Sequence, residues 1–124
     1  MKAADRAGFQ AVELAEITAL AKQAADGYAA EVIRSELLSV GLYVLPAGGV
    51  DDQTPHAEDE VYYAVRGRSA FRVGDADHPV KPGSILFVPA RMPHHFHDIA
   101  EELVLVVFWA PPEGTADEPM KEVQ

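Results

Sequence analysis

Hydrophobic and polar residues follow two different periods along the chain. Between residues 14 and 24, apolar residues recur at intervals of three and four in a composition that favours a helix. Asp26-Gly27 then supplies a helix stop signal. We therefore predict a short helix over 14–24, packed against one end or edge of the sheet that follows.

From residue 28 onward the chain consists of runs rich in β-branched and aromatic residues. Turn signals separate these runs at intervals of roughly ten residues, which indicates an all-β sandwich or barrel. The predicted strands cover residues 28–35, 37–45, 61–65, 68–73, 77–80, 85–88 and 103–109. The predicted organisation is an N-terminal extension with the helix (1–27), a β domain (28–112) and an acidic, flexible tail (113–124).

Several of the predicted strands carry apolar residues on both faces, namely 37–45, 61–65 and 103–109. An antiparallel strand with one face in water normally alternates cleanly between apolar and polar residues. The outer face of these strands should therefore be covered as well. We predict a homodimer interface as the cover.

Size and charge limit the classes of protein and partner. The length of 124 residues suits one domain, and a formal charge of −10 disfavours nucleic acid and anionic membranes as partners. The chain has no cysteine, which excludes disulfides and thiolate metal sites. No run approaches the roughly 20 apolar residues of a membrane span, and the N-terminus lacks the apolar core of a signal peptide. We predict a cytoplasmic protein.

Candidate chemistry lies in two stretches that have a similar layout. In residues 48–67, a loop rich in glycine and acid leads to His56 and Glu60, and a strand follows. On a straight strand these two residues would lie about 13 Å apart, so the chain must bend between them, at 57–59. In residues 83–98, a glycine turn and a short apolar run lead through prolines to His94. Two such halves brought together would form one site.

These two stretches resemble the paired motifs of the cupin superfamily. The first motif runs glycine, five residues, His-x-His, three or four residues, glutamate, six residues, glycine. The second runs glycine, five residues, Pro-x-Gly, two residues, histidine, three residues, asparagine. The matching positions are Gly48, Thr54, His56, Glu60 and Gly67, then Gly83, Pro89, Arg91, His94 and Asp98. The resemblance spans residues 48–98 and implies a double-stranded β-helix, or jelly-roll barrel, with a metal site open at its mouth.

The chain departs from the family pattern at three positions. Thr54 stands where the family has its first metal-binding histidine, which leaves the metal one ligand short. Arg91 replaces a turn glycine, although a non-glycine residue with positive φ is uncommon. Asp98 replaces an asparagine.

The resemblance implies one divalent metal ion held by His56, Glu60 and His94. Two imidazoles and one carboxylate suit Fe(II), Mn(II), Ni(II) and Zn(II) alike. Gln53 or Thr54 would supply a weak fourth oxygen ligand, or a water would occupy that position. The alternative is that both histidines are hydrogen-bonded barrel residues and that the glutamate is a solvated loop acid.

Strand alternation separates the histidines of the second motif. On a regular strand His94 shares its face with Phe96 and Asp98, while His95 and His97 point the other way. Aromatic residues are further candidates for the lining of the site, although such residues also form the core of small barrels; they are Tyr43, Tyr62, Phe96, Phe108 and Trp109.

A cupin-like site leaves the reaction open, because one fold hosts many activities. We predict a metal-dependent enzyme of the dioxygenase or isomerase type that acts on a small organic molecule. One alternative is a module that binds a metal and a small ligand without turnover. The other is a structural cupin that has lost its metal along with the histidine at position 54.

Overall fold

A computed structural model describes residues 8–24, 27–51 and 55–116. Within these residues the chain forms one short helix and six strands, which confirms the all-β prediction. The elements are α1 (Leu14–Gln23), β1 (Tyr28–Arg34), β2 (Ser39–Leu45), β3 (Asp59–Val73), β4 (Ala76–Val80), β5 (Ile85–Val88) and β6 (His94–Ala110). In these described parts of the chain, no helix is long and apolar enough to cross a bilayer.

All strand pairs are antiparallel, and β3 is the central strand. One edge of β3 pairs with β6 along nearly its whole length, and the other edge pairs with β5 near its start and with β4 near its end. The opposite edge of β6 pairs with β2, which in turn pairs with β1. This topology brings the two sequence motifs, one on β3 and one on β6, side by side.

The inner face of the sheet buries the main core. Trp109 pairs with Glu60 on one side and with Ser39 on the other, and Glu60 also pairs with Val88. Alternate residues of a strand share a face, so Tyr62 follows Glu60 into the interior. The buried apolar residues of this core are Leu45, Tyr62, Ala64, Phe71, Val80, Val88, Phe96, Ile99, Leu103, Leu105, Val107 and Trp109.

Helix α1 covers part of the outer face, at the β1–β2 edge of the sheet. It buries Ile17 and Ala21 against outward-facing residues of three strands, which are Val32, Leu42, Val44 and Val104. The apolar residues on both faces of β2 are thus explained by the chain's own helix. For this part of the sheet, the prediction that a second copy provides the cover is wrong.

Gly67 does not end a strand, although the sequence predicted separate strands on either side of it. β3 runs through it from Asp59 to Val73, and β6 likewise begins at His94 rather than near residue 103. Gly67 has φ +102°, and a Cβ there would lie 2.2 Å from the backbone oxygen of Glu102. Glycine therefore permits an irregular register and a close approach between β3 and β6 instead of a turn.

The prediction that Asp98 shares a face with His94 is also wrong. Asp98 has φ +50°, in the left-handed region, and this conformation interrupts the alternation along β6. Its side chain is 86% exposed and lies 3.0 Å from His97 Nδ1. Burial resumes at the next residue, Ile99.

Candidate metal centre

The chain bends between His56 and the start of β3, as the sequence predicted, at residues 57–58. The Arg91 backbone N–H donates to the His56 carbonyl at 2.7 Å, and the Ala90 N–H donates to Asp59 Oδ1 at 2.9 Å. Arg91 adopts φ +66°, so the turn forms without the glycine of the family pattern. These two hydrogen bonds hold the first motif against the turn that precedes β6.

Glu60 is a buried carboxylate at the centre of the site, with 1% of its surface exposed. Its Oε2 accepts hydrogen bonds from Trp109 Nε1 at 2.8 Å and from the Tyr62 hydroxyl at 3.3 Å. Its Oε1 lies 3.0 Å from His94 Nε2. A carboxylate this deeply buried is stable only when such partners compensate for lost hydration.

His94 is buried beside Glu60, and both of its ring nitrogens have partners. Its Nδ1 lies 2.8 Å from the Met92 carbonyl oxygen, which can only accept, so Nδ1 carries a proton. Burial opposes the charged imidazolium, but the hydrogen bonds to Glu60 and Met92 outweigh it and raise the pKa of His94. Nε2 faces Glu60 Oε1 at 3.0 Å, and this is the nitrogen that a bound cation would contact.

Tyr62 completes the hydrogen-bonded cluster. Its hydroxyl lies 3.1 Å from His94 Nε2 as well as 3.3 Å from Glu60. Burial, reinforced by the negative charge of Glu60, raises the pKa of Tyr62 well above its ordinary value of 10.0, so the hydroxyl remains neutral. Tyr43 stacks on this ring with centroids 6.4 Å apart, and Phe96 meets it edge-on at 5.2 Å.

His56 lies at the border of the cluster and is partly exposed. Its Nε2 is 3.8 Å from Glu60 Oε2, and its Nδ1 is 3.8 Å from Glu58 Oε1. The ring packs edge-on against Trp109, with centroids 5.9 Å apart. Both predicted histidine ligands therefore face the carboxylate of the third, Glu60.

The donor set suits a divalent metal, although the side chains are not arranged as a finished ligand shell. Among residues 8–24, 27–51 and 55–116, no group of three or more His, Asp or Glu side chains is placed so that it could hold a metal ion as it stands. Glu60 is instead satisfied by protein hydrogen bonds, and His56 stands 3.8 Å away. The types of donor nevertheless fit, because His94 has the Nδ1–carbonyl hydrogen bond typical of metal-binding histidines.

Comparison with known proteins assigns the family. A family model described as a cupin domain matches residues 41–111. The chain belongs to the cupin family. An uncharacterized protein of Streptomyces coelicolor is 46% identical to this cupin over 93 residues, which cover 75% of this chain and 89% of the relative.

Similar solved structures confirm the double-stranded β-helix fold. TT1209 of Thermus thermophilus is 33% identical, with a TM-score of 0.58 over 66% of this chain and 80% of its own. A double-stranded β-helix cupin of Methanocaldococcus jannaschii is 22% identical, with a TM-score of 0.60 over 65% of this chain and 76% of its own. The DMSP lyase DddQ of Ruegeria pomeroyi is 22% identical, with a TM-score of 0.59 over 68% of this chain and 43% of the lyase.

Two predicted site residues, Gln53 and Thr54, lie outside the described residues, as does the tail from residue 117 onward. Phe108 does not line the interior, because it lies on the opposite face of β6 from Trp109 and is 40% exposed. Trp109 does line the interior, and it does so as a hydrogen-bond donor to Glu60.

Sequence reasoning did not predict the contacts of several polar groups at this end of the barrel. Asp51 Oδ2 accepts the Phe96 N–H at 2.9 Å and joins the first loop to β6. Arg34 forms an ion pair with Glu31, which is 2% exposed and lies on the inner face of β1. A β-bulge in β1 places these two residues together, and strand alternation alone does not reveal it.

Proposed function

We propose that this cupin binds one divalent metal ion through His56, Glu60 and His94 and acts as a metal-dependent enzyme on a small organic molecule. One observation carries the proposal: the buried carboxylate of Glu60 is faced by Nε2 of both histidines, at 3.0 and 3.8 Å. Fe, Mn, Ni and Zn all accept such a donor set. Gln53 and Thr54 remain candidates for a further ligand.

The protein's own residues prepare this site in distinct ways. Trp109 fixes the plane of the Glu60 carboxylate, and Met92 fixes the proton of His94 on Nδ1. Tyr62 supplies a neutral hydroxyl whose one proton is donated to Glu60, and a substrate oxygen would receive it only in place of that hydrogen bond. When bound, the metal would supply Lewis-acid activation of a substrate oxygen, or oxygen activation if it is iron. Reactions of the isomerase and dioxygenase types both use these properties.

A second candidate function is a structural or ligand-binding cupin without a metal. The close contact between His94 and Glu60 favours it, because both oxygens of the carboxylate already have protein partners without a cation. The two candidates differ in metal content. Protein purified without a histidine tag should contain close to one equivalent of metal under the first and none under the second.

The matched pair His94→Gln and His95→Gln tests the proposed ligands in solution. The two histidines are adjacent, but His94 is buried in the site whereas His95 is exposed on the outer face. Replacing even an outer partner of a ligand typically costs about 10- to 100-fold in metal affinity. We therefore expect His94→Gln to lose more than about 100-fold by calorimetric titration with Zn(II) or Mn(II). His95→Gln should bind as the unsubstituted protein does, and equal losses in both variants would contradict the assignment.

Oxygen consumption separates the two proposed reaction types. Protein loaded anaerobically with Fe(II) is mixed with candidate organic acids, phenols and sugars, and oxygen uptake is recorded. A dioxygenase consumes oxygen together with substrate, whereas an isomerase converts substrate without uptake.

We also propose that a second copy of the chain covers the remaining apolar outer face. Cross-strand pairing places Val61 between Phe87 and Phe108, and Ile85 beside Tyr63. Ile85 is 70% exposed and Phe87 is 62% exposed. Contiguous apolar patches of this kind mark interaction surfaces.

A further inference from the structure

Glu58 is buried at a position where an acid would normally face water. It lies on the bend between the His56 loop and β3, and its surface is 1% exposed, although the next residue, Asp59, is exposed. Burying a carboxylate is costly unless both of its oxygens find donors. The two oxygens of Glu58 have different surroundings.

Oε2 of Glu58 is held by the turn that follows β6. The backbone N–H groups of Gly114 and Ala116 donate to it at 3.0 and 3.1 Å. The same turn is fixed independently, because the Glu113 N–H donates to Ser39 Oγ at 2.8 Å and Arg34 Nη1 donates to the Glu113 carbonyl at 3.3 Å. The turn therefore holds the Glu58 carboxylate in one orientation.

Oε1 of Glu58 is directed at the proposed metal ligand. It has no hydrogen-bond donor among the described residues, and it lies 3.8 Å from His56 Nδ1. A small rotation of the imidazole would bring Nδ1 within hydrogen-bonding range. Nε2 of His56 also lies 3.8 Å from a carboxylate oxygen, Glu60 Oε2, but that oxygen already accepts two hydrogen bonds. Because a carboxylate oxygen only accepts and Glu58 Oε1 has no other donor among the described residues, the His56 tautomer with the proton on Nδ1 is favoured. The lone pair of Nε2 then faces Glu60.

The same arrangement already exists at the other histidine, where Met92 accepts from Nδ1 of His94 and Nε2 faces Glu60. We infer that Glu58 is a positioning residue that sets the tautomer and orientation of His56, and that the turn at 113–116 orients Glu58 for this role. The effect on metal binding rests on the proposed function. The effect on the tautomer does not, because it holds in the metal-free protein.

The test measures the His56 tautomer by NMR of ¹⁵N-histidine-labelled, metal-free protein, at an alkaline pH at which the ¹⁵N shifts show a single proton on the ring. We expect the Nδ1–H form in the unsubstituted protein. An Nε2–H form there would overturn the inference without any variant being needed.

Glu58→Gln should reverse the tautomer. The amide oxygen must face the two N–H donors of the turn, which leaves the NH₂ group facing His56 Nδ1. Nδ1 would then accept, and the proton would move to Nε2. With Zn(II) or Mn(II), affinity should fall by about 10- to 100-fold, as for other outer partners of ligand histidines.

Glu31→Gln is the matched control. Glu31 is equally buried, also has one oxygen without a donor among the described residues, and also reaches the turn, through Arg34. We expect it to leave the His56 tautomer and the metal affinity unchanged. An unchanged tautomer and affinity in Glu58→Gln, or identical changes in both variants, would overturn the inference. If the unsubstituted protein bound no metal but showed the expected tautomers, the proposed function would fail and the positioning role would stand.

Discussion

The carboxylate of Glu60 connects the side chains of Trp109, Tyr62, His94 and His56. Trp109 and Tyr62 donate hydrogen bonds to its Oε2. His94 Nε2 lies 3.0 Å from its Oε1, and His56 Nε2 lies 3.8 Å from its Oε2. The buried acid is thereby kept charged and fixed in orientation. Its stability and its ability to bind a cation depend on the same few atoms, so single-atom substitutions should affect both.

Tyr62→Phe removes one hydroxyl from this cluster. We expect the free energy of unfolding to fall by about 1–2 kcal/mol, because a buried hydrogen bond near a charged group is lost. Tyr63→Phe is the control, since Tyr63 is the next residue on β3 but faces outward and is 41% exposed. It should change stability by less than about 0.5 kcal/mol. Urea denaturation measures both variants, and equal effects would contradict the role given to Tyr62.

The pair of His97 and Asp77 on the outer face predicts a pH-dependent stability. Their side chains meet at 2.9 Å, and this hydrogen bond raises the pKa of His97 and lowers the pKa of Asp77. The histidine contribution is complete below its ordinary pKa of 6.5 and is lost as the pH rises through the raised value. The aspartate contribution is complete above 3.8 and is lost as the pH falls through the lowered value.

A double-mutant cycle with His97→Gln and Asp77→Asn isolates this pair. The coupling free energy, measured by urea unfolding, should be present at pH 5.5 and absent at pH 9. A coupling that persisted unchanged at pH 9 would show that the charge on His97 is not its source.

At the scale of elements, the long β3–β6 pair carries both motifs and brings them together. The sequence allowed the helix and most strand positions to be predicted, because their periods and turn residues are local properties. It did not allow the lengths of β3 and β6 to be predicted. Gly67 is a residue type that is common in turns. Here it instead allows the close approach of β3 to the backbone of Glu102, which is distant in sequence.

The candidate site was predictable to a similar extent. The spacing of the motifs, which is visible in the sequence, named His56, Glu60 and His94 as candidate ligands, and the structure brings both histidines to the carboxylate. Tyr62 and Trp109 were candidates for the lining, but their hydrogen bonds to Glu60 and the contact of Glu58 were not predictable. Glu58 and Trp109 reach the site through contacts with other strands and with a later turn, and these contacts exist only after folding.

Gly67→Ala tests the close approach of β3 and β6. The new Cβ would lie 2.2 Å from the Glu102 oxygen, at φ +102°. Gly83→Ala is a matched control, because Gly83 has φ +96° but nothing lies within 4 Å of its Cβ position. We expect a cost of about 1–2 kcal/mol for Gly83→Ala from backbone strain alone. The cost for Gly67→Ala should be clearly larger by thermal or urea unfolding, and equal costs would show that the clash is relieved.

At the scale of the whole molecule, the apolar outer face divides into two parts. Helix α1 covers the β1–β2 side, whereas Ile85, Phe87 and their neighbours are exposed. The proposed second copy should cover this exposed part. Phe87→Glu should therefore shift the protein toward monomer in sedimentation experiments. Leu37→Glu is the control, because it also replaces an exposed apolar residue with a charged one, at a position in the β1–β2 turn that is 79% exposed, and it should cause no such shift. A monomeric unsubstituted protein would contradict the dimer.

The most direct test of the metal site is anomalous X-ray diffraction from crystals grown with Mn(II) or Zn(II). The proposal predicts one strong peak inside the barrel, about 2.0–2.2 Å from Nε2 of His56, Nε2 of His94 and a carboxylate oxygen of Glu60. A structure without that peak, in which His94 remained hydrogen-bonded to Glu60, would contradict it.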